Sequence, residues 1–388
     1  MVKQKDWGKL RDDSLGMTIP SWLYNVYVDG VGTSTAQNFL VDISKGEAPW
    51  RYNKRGYPNK LGGKGFFVTG FDMNERTPGR FFCDMFRPCP ASNSNEYIPF
   101  LLDYIKESSC PQTNLYVPIV DYGFQQVSRT EFPENTLVII SPEETIRICD
   151  NKETLSSFFR AQENVPFKLP SDINTFKLEY ANFPKLVTKP KCGGRASLDV
   201  AFCSDIVSFN KQKKNLGNNF YAQEFIEGRE FTIDALCNLD GRYLDSACRE
   251  RLAVKAGVCQ AARVFKDDRY EKATKFICDK LKFVGPLNIQ FMENEQGIYL
   301  IEINPRFSGG LNLSMARGFH SPKYLFDMYR DWTNGRYDSE KDYTKDEFVA
   351  GYAYKYSEVV SEHLEGENIG TWRGDEIFEG KYYEGKYK

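Results

Sequence analysis

Two stretches of alternating apolar and polar residues flank the turn-rich Asn294-Glu295-Gln296-Gly297, and this pattern predicts a β-hairpin. Leu287, Ile289 and Phe291 alternate with Asn288, Gln290 and Met292, and Tyr299, Ile301 and Ile303 alternate with Leu300, Glu302 and Asn304. The odd positions are assigned to a core and the even positions to a polar face. With both core faces odd, Gln290 lies near Glu302 only if the loop has an odd length or a bulge falls around residues 294–298. Glu302 and Asn304, two apart on one strand, lie ~6.6 Å apart on one face, within the span of oxygen ligands around one metal. Pro305 ends the strand, and Arg306 adds a guanidinium fork suited to phosphate. An amphipathic hairpin whose wet face carries Glu and Asn accounts for the same pattern without a ligand, and the hairpin alone does not separate the two readings.

The same reading upstream predicts a strand at Asn25-Val26-Tyr27-Val28, a turn at Gly30-Val31-Gly32 and a helix capped by Thr33 or Ser34, with stripe Ala36, Phe39, Leu40 and Ile43. A second strand, Phe66 to Phe71, ends at Asp72, which completes a Rossmann-like outline. Only two glycines are in place and the loop from Gly46 to Gly65 is long, so the unit reads as architecture more than as a dinucleotide site. A helix with stripe Ile98, Leu101, Leu102 and Ile105 and strands at Leu115–Val120 and Leu137–Ile140 extend residues 22–145 into an open α/β sheet. Asp121 stands at its ligand-bearing end, as a ligand or as a solvated strand cap.

From Asp150 the pattern changes. Asp150 with Glu153 three residues on forms a capping box before the stripe Leu155, Phe158 and Phe159. Lys152 lies in the first turn, where a cation opposes the helix dipole and a nearby phosphate would relieve it; a surface lysine is the plain alternative. A short strand delivers Lys189 to the loop Lys191-Cys192-Gly193-Gly194, whose amides can wrap a polyphosphate, and Leu198–Cys203 returns as a strand. Tyr221 to Ile226 and Thr232 to Leu236 form a strand pair around Gly228. Arg249 and Arg251 share one face of the next strand, suited to an acyl phosphate or a substrate carboxylate, or simply solvated. A helix spans Asp268 to Phe283 and another starts between Asn312 and Arg317 after a flexible Ser308-Gly309-Gly310. Residues 1–20 carry no periodic signal, 335–388 are charged and tyrosine-rich without a motif, and the ending EGKYYEGKYK reads as an edge strand or a tail.

Composition narrows the classes. The 388 residues allow two or three domains, and 41% hydrophobic with 15% aromatic content marks a globular chain. A net charge of −2 gives no electrostatic case for nucleic acid or an anionic membrane. No apolar run approaches the ~18 residues of a membrane span, and the start lacks a signal-peptide core, so a cytoplasmic protein is expected. The ten cysteines form no C-x-x-C pair and only His320 and His363 accompany them, which disfavours zinc and His-based catalysis.

The order Gln290, then Glu302-Ile303-Asn304-Pro305-Arg306 resembles the metal and phosphate segment of the ATP-grasp superfamily, most similar to carbamoyl-phosphate synthase large-subunit-like and carboxylate–amine ligase members. The resemblance implies that Gln290, Glu302 and Asn304 hold Mg²⁺ or Mn²⁺ and that Arg306 meets the transferred phosphate, with Arg249 and Arg251 also catalytic. It makes Lys152 and Lys189 the lysines on the phosphates of ATP, and Gly193 to Ser197, with Gly194 and Ser197, the covering flap. It pairs adenine with backbone groups around Gln223, Glu224, Phe225 and Ile226 and places Glu230 on the ribose. Arg195, Ala196 and Asp199 depart from the glycine-rich flap, Gly123 replaces a glutamate usually near Asp121, and Asp29 stands where relatives place a small residue.

The implied fold class is α/β: a Rossmann-like pre-ATP-grasp domain over 21–145, then a two-lobed α+β ATP-grasp domain over 146–335. Its small flap lobe is 146–220 and its catalytic lobe 221–335, while 1–20 is an extension and 336–388 is unassigned. The implied activity is an ADP-forming ligase that activates a carboxylate as an acyl phosphate and joins it to an amine or other nucleophile. Its partners are small-molecule carboxylate and amine substrates, with no nucleic acid or membrane, and the family allows a homodimer. A carbamoyl-phosphate-synthase-like enzyme acting on bicarbonate fits less well, since those enzymes resemble two such units in tandem; a biotin-dependent carboxylase lacks a visible partner domain. A non-catalytic ATP-binding regulator is kept open by the altered flap.

Overall fold

The computed structural model of the protein describes residues 24–43, 66–108, 113–172, 183–193, 199–255, 257–355, 359–362 and 369–372. The expectations for 1–20, for the loop 46–65, for Gly194 to Ser197 and for the ending EGKYYEGKYK lie outside the described residues.

Strand β1 (Tyr24–Val28), helix α1 (Ser34–Ile43), strands β2 (Phe66–Asp72) and β3 (Met85–Pro88), helix α2 (Tyr97–Ser108), strand β4 (Asn114–Val117), helix α3 (Phe124–Ser128) and strand β5 (Thr136–Val138) build the first layer. Its five strands are parallel in the order β3-β2-β1-β4-β5. Strand β3, too short for a periodic signal, was not expected. The Gly30 turn is tight: φ is +58°, and a Cβ would lie 2.5 Å from Val120 Cγ2. Gly32 N donates to Asp72 Oδ2 at 2.8 Å, so the acid closing β2 bonds the turn itself. That contact agrees with reading the unit as architecture.

Helices α4 (Glu143–Asp150) and α5 (Lys152–Arg160) follow. The expected capping box is corrected here. Asp150 ends α4, and Asn151 caps α5 by accepting from Glu153 N and Thr154 N. Strands β6 (Leu186–Pro190) and β7 (Ala201–Cys203), helix α6 (Ile206–Leu216) and strand β8 (Phe220–Glu224) form a small antiparallel sheet, β7-β6-β8, over its own cluster of Leu186, Cys203, Phe209 and Ala222.

The large lobe holds β9 (Arg229–Cys237), β10 (Tyr243–Lys255), β11 (Val258–Phe265), α7 (Asp268–Leu281), β12 (Pro286–Asn294), β13 (Gly297–Asn304), α8 (Leu311–Met315), α9 (Ser321–Thr333) and β14 (Gly351–Tyr354). Its sheet runs β13-β12-β9-β10-β11-β14. Helices α5 and α7 cover one face, packing Leu155, Phe159 and Ile277 in one cluster with Phe291 of the sheet. Helices α1, α8 and α9 lie between this sheet and the first one, sharing a core of Val26, Phe39, Val264, Leu313 and Leu325. That shared core fixes the first layer against the large lobe. Among the described residues, no helix is long and apolar enough to cross a membrane.

The bulky Asp29 has a packing role. Its carboxylate is 2% exposed and accepts from Ile119 N at 2.5 Å, Val120 N at 3.2 Å, Tyr97 Oη at 2.8 Å and Tyr116 Oη at 3.1 Å. It thereby holds the chain that leads from β4 to Asp121. Burial, opposed by these donors, raises its pKa from 3.8 to about 6. The folded state therefore binds this proton more tightly than the unfolded one, so this group's contribution falls as pH rises from 3.8 to about 6, by up to about 3 kcal/mol. An asparagine can still accept both backbone bonds while its amide donates to a tyrosine oxygen. Asp29→Asn is expected to match or exceed the parent in urea denaturation at pH 8 and to lose that advantage near pH 4. A variant clearly less stable at pH 8 would mean that the charged acceptor outweighs its burial.

Candidate active site

The β12–β13 hairpin supplies the cleft floor. A two-residue turn pairs Asn294 with Gly297, and the ladder runs regularly through Phe291 and Leu300. A bulge then sets Ile301 and Glu302 against Gln290, after which Ile289 pairs with Ile303 and Asn288 with Asn304. Gln290 thus faces Glu302, as the expected interruption requires, but the interruption falls at Ile301 and not in 294–298. The odd-position core is corrected with it: Ile298 and Leu300 join Ile303 beneath the sheet, and Ile301 lines the cleft. Asn304 Nδ2 donates to Asn288 Oδ1 at 3.3 Å, which leaves the Asn304 oxygen for a ligand. Asn288, unremarked in the sequence, also donates to Arg306 O at 3.0 Å and so braces the strand end.

These residues line a cleft of about 860 Å³ between the small sheet and the large one. Gln290, Glu302, Asn304, Lys152, Lys189, Gln223, Glu224, Phe225, Ile226, Glu230, Arg249, Arg251 and Arg306 all border it. Gly194 and Ser197 lie outside the described residues; Gly193 is described at φ +68°, its carbonyl accepting from Tyr122 Oη at 3.3 Å. Lys189 is 4% exposed. Burial, helped by Lys152 and opposed by Glu302, lowers its pKa from 10.5 to about 8. A buried ammonium so short of counter-charge is complemented by a polyphosphate.

Val187, Phe202, Phe225, Met292 and Ile301 give the same cleft apolar walls. The amides of Glu224 and Phe225 are already bonded to Ser171 O and Lys185 O, so these two do not serve a base edge in this structure. Glu230 accepts from Arg251 Nη1 at 2.5 Å, and Arg251 Nη2 donates to Gly257 O at 2.9 Å. Arg251 is thus a brace for Glu230. Arg306 Nε donates to Asp121 Oδ1 at 2.6 Å, which links the first layer's ligand-bearing end to the hairpin and gives Asp121 an ion-pair partner.

Arg249 belongs to a buried group that sequence reading missed. Asp234, 2% exposed, accepts from Arg249 Nε at 2.7 Å, Ser308 Oγ at 2.5 Å and Ser314 Oγ at 2.6 Å. The signal was present: an acid set between Ile233 and Ala235 in the apolar second half of β9, two residues after Thr232. Among the described residues no cluster of three His, Cys, Asp or Glu forms a metal site. The set on offer, one carboxylate and two amide oxygens, fits a hard cation that takes further ligands from phosphate and water.

The parallel layer, the small antiparallel sheet and the large one, closed over this cleft, resemble the ATP-grasp superfamily in fold, and part of the large lobe matches a family model of that kind. Residues 218–348 match the family model described as ATP-grasp in the biosynthetic pathway with Ter operon. The carbamoyl phosphate synthase large chain of Lachnoclostridium phytofermentans is 25% identical over 141 residues, 32% of this chain and 13% of that one. The chain thus spans a small part of that relative. N5-carboxyaminoimidazole synthetase from Staphylococcus aureus, complexed with ADP, shares the fold with a TM-score of 0.57 at 11% identity, covering 86% of this chain and 93% of that one. L-amino acid ligase from Bacillus licheniformis does so with a TM-score of 0.56 at 14% identity, covering 82% and 77%. The biotin carboxylase domain of Hydrogenobacter thermophilus 2-oxoglutarate carboxylase gives 0.57 at 11%, covering 84% and 73%.

Lys189→Met separates stability from binding. Because burial depresses this pKa, removing the charge is expected to stabilise the ligand-free protein at pH 7 by up to about 3 kcal/mol. The same change should weaken ADP binding by about tenfold or more, read by calorimetry. Unchanged ADP affinity would remove Lys189 from the nucleotide site.

Proposed function

We propose that the protein is an ATP-dependent, ADP-forming ligase that activates a carboxylate as an acyl phosphate and transfers the acyl group to an amine. The observation that carries this reading is the shared face of Gln290, Glu302 and Asn304, lining one cleft with the buried Lys189 and with Arg306. In this reading Lys152 and Lys189 lie along the phosphates of ATP, and the apolar walls take the base. Glu230, held by Arg251, meets the ribose. Gln290, Glu302 and Asn304 would hold Mg²⁺, which supplies charge neutralisation at the β- and γ-phosphate oxygens when bound.

The substrate carboxylate attacks the γ-phosphorus, an O–P bond forms as the bond to ADP breaks, and Arg306 neutralises the charge on the transferred oxygens. The amine then attacks the acyl carbon; the C–N bond forms, the C–O bond to phosphate breaks, and the amine proton leaves to solvent. Such a path needs positioning and charge more than a histidine base. The L-amino acid ligase and carboxylase neighbours support carboxylate or bicarbonate chemistry of this kind.

ADP release from ATP with Mg²⁺ should depend on a particular pair from a panel of amino acids, small carboxylates and bicarbonate combined with amines. Glu302→Gln should fold normally and lose at least about a hundredfold in turnover, about 3 kcal/mol of transition-state stabilisation. Full activity in that variant contradicts the mechanism. ATP binding without turnover across the panel would favour a nucleotide-binding regulator.

A further inference from the structure

At the end of the cleft beyond Arg306, charge is not balanced. Three parts of the chain meet there around Ser308, Gly309 and Gly310: Arg249 from β10, the first turn of α1 with Thr33, Ser34 and Thr35, and Lys355 just past β14. They are in close contact, since a Cβ at Gly310 would lie 2.6 Å from Arg249 Nη1, and one at Gly309 3.2 Å from Ser34 Oγ and 3.8 Å from Thr35 Oγ1.

Arg249 is 1% exposed. Its Nε and Nη2 bond Asp234 and its Nη2 also bonds Ser308 Oγ at 3.0 Å, while Nη1 is buried with no hydrogen-bond partner. A buried guanidinium nitrogen left unused beside a cleft is a donor awaiting an acceptor. Lys355 donates Nζ to Gly309 O at 2.6 Å. Burial, with Arg249 beside it, pulls its pKa down to about 8 against the opposing pull of Cys259 and Asp234. Two cations thus face one carboxylate.

Helix α1 adds to the surplus. Its first turn holds no acidic side chain; Ala36 N already donates to Thr33 Oγ1 at 3.2 Å, and the amides of Ser34 and Thr35 have no carbonyl within the helix to bond. An unused fork nitrogen, a helix N-terminus and one excess positive charge are what a monoanion with two oxygens requires.

We propose that this end of the cleft is a carboxylate subsite that binds the non-reacting carboxylate of an amino-acid-like acceptor through Arg249 Nη1 and the first turn of α1. The inference rests on the ligase reading and names the acceptor's class. Arg249 pairs with Thr232, which pairs with Gln290, so the subsite's root lies two strands, about 10 Å, from the phosphate-facing hairpin. It therefore holds a second carboxylate, distinct from the one that is phosphorylated. Lys355 is a positioning residue, since it orients the Gly309 carbonyl and adds field without bordering the cleft. An acceptor amide or ester would leave Arg249 Nη1 unpaired and bury no compensating charge. A phosphate dianion would over-balance the surplus.

The test uses the intact chain labelled at lysine Cε, titrated by NMR with acetate, with acetamide and inorganic phosphate in parallel at constant ionic strength. Acetate is expected to saturate below about 100 mM and to raise the Lys355 pKa by about one unit. Acetamide should do neither, and Lys355→Met identifies the resonance. Arg249→Lys, which keeps a charge against Asp234 but removes the fork, should abolish saturation. If that variant does not fold, the contrast of acetate with acetamide in the parent decides. Equal responses to acetate and acetamide, no saturation, or tighter binding of phosphate would each overturn the subsite. Turnover separates the two claims: ADP release about tenfold or more faster with amino acids than with their amides supports both. Equal rates refute the subsite and leave the ligase standing, whereas acetate binding without any ADP release refutes the ligase and leaves the subsite.

Discussion

One extra residue decides what the cleft can do. The two-residue turn at Glu295-Gln296 would, in an unbroken ladder, place Ile301 opposite Gln290 and turn Glu302 toward the core beside Ile289. A buried carboxylate there would have no partner and would be strongly disfavoured. The bulge at Ile301 shifts the strand by one position, so Glu302 emerges beside Gln290, Asn304 follows on the same side, and Ile301 becomes an apolar wall. The core is not sacrificed, because Leu300 and Ile303 stay beneath the sheet on either side of the bulge. Local irregularity thus places three oxygen-bearing side chains on one rigid face, where a flexible loop would have held them less well.

Two buried cations then set the cleft's electrostatics. Lys189 on β6 and Arg249 on β10 both lie almost wholly out of water. Arg249 is matched by Asp234, which also takes two serine hydroxyls from the segment after the hairpin; that carboxylate therefore ties β9, β10 and α8 together. Lys189 has no such match, and its lowered pKa expresses the cost. The free protein carries unfavourable charge along the line where anionic substrates would lie. Stability given up at a site in this way is regained on binding, which favours ligands that bring negative charge.

Much of this was legible in the residues. The alternation in β12, the Gly30 turn, the stripe of α1 and the pairing of Gln290 with Glu302 all follow from periodicity and turn chemistry. The misreadings have physical causes. Asp150 and Asn151 are adjacent Asx residues, and which one caps α5 depends on where α4 stops, a tertiary outcome. The bulge was placed in the turn because a one-residue slip has the same parity wherever it falls. Arg251 and Glu230 stand apart from these, since what alternation did not show is only that β9 and β10 bring the two within bonding distance of each other. Lys355 lies after a four-residue edge strand with no periodic signal, and its contacts with Gln260 and with Gly309, a residue 46 positions away, show where it belongs. Asp234 was visible as an acid between apolar neighbours, but the three partners that it gathers come from distant segments.

The central claim is that the γ-phosphoryl group passes through a substrate carboxylate, and oxygen tracing tests it most directly. Amino acids and small carboxylates labelled with ¹⁸O in the carboxyl group would be supplied with ATP, Mg²⁺ and amines, and the released phosphate analysed by mass spectrometry. The account predicts that each phosphate formed carries one labelled oxygen from the carboxylate, since the C–O bond of the acyl phosphate breaks when the amine attacks. Phosphate that draws its new oxygen from water instead would contradict it.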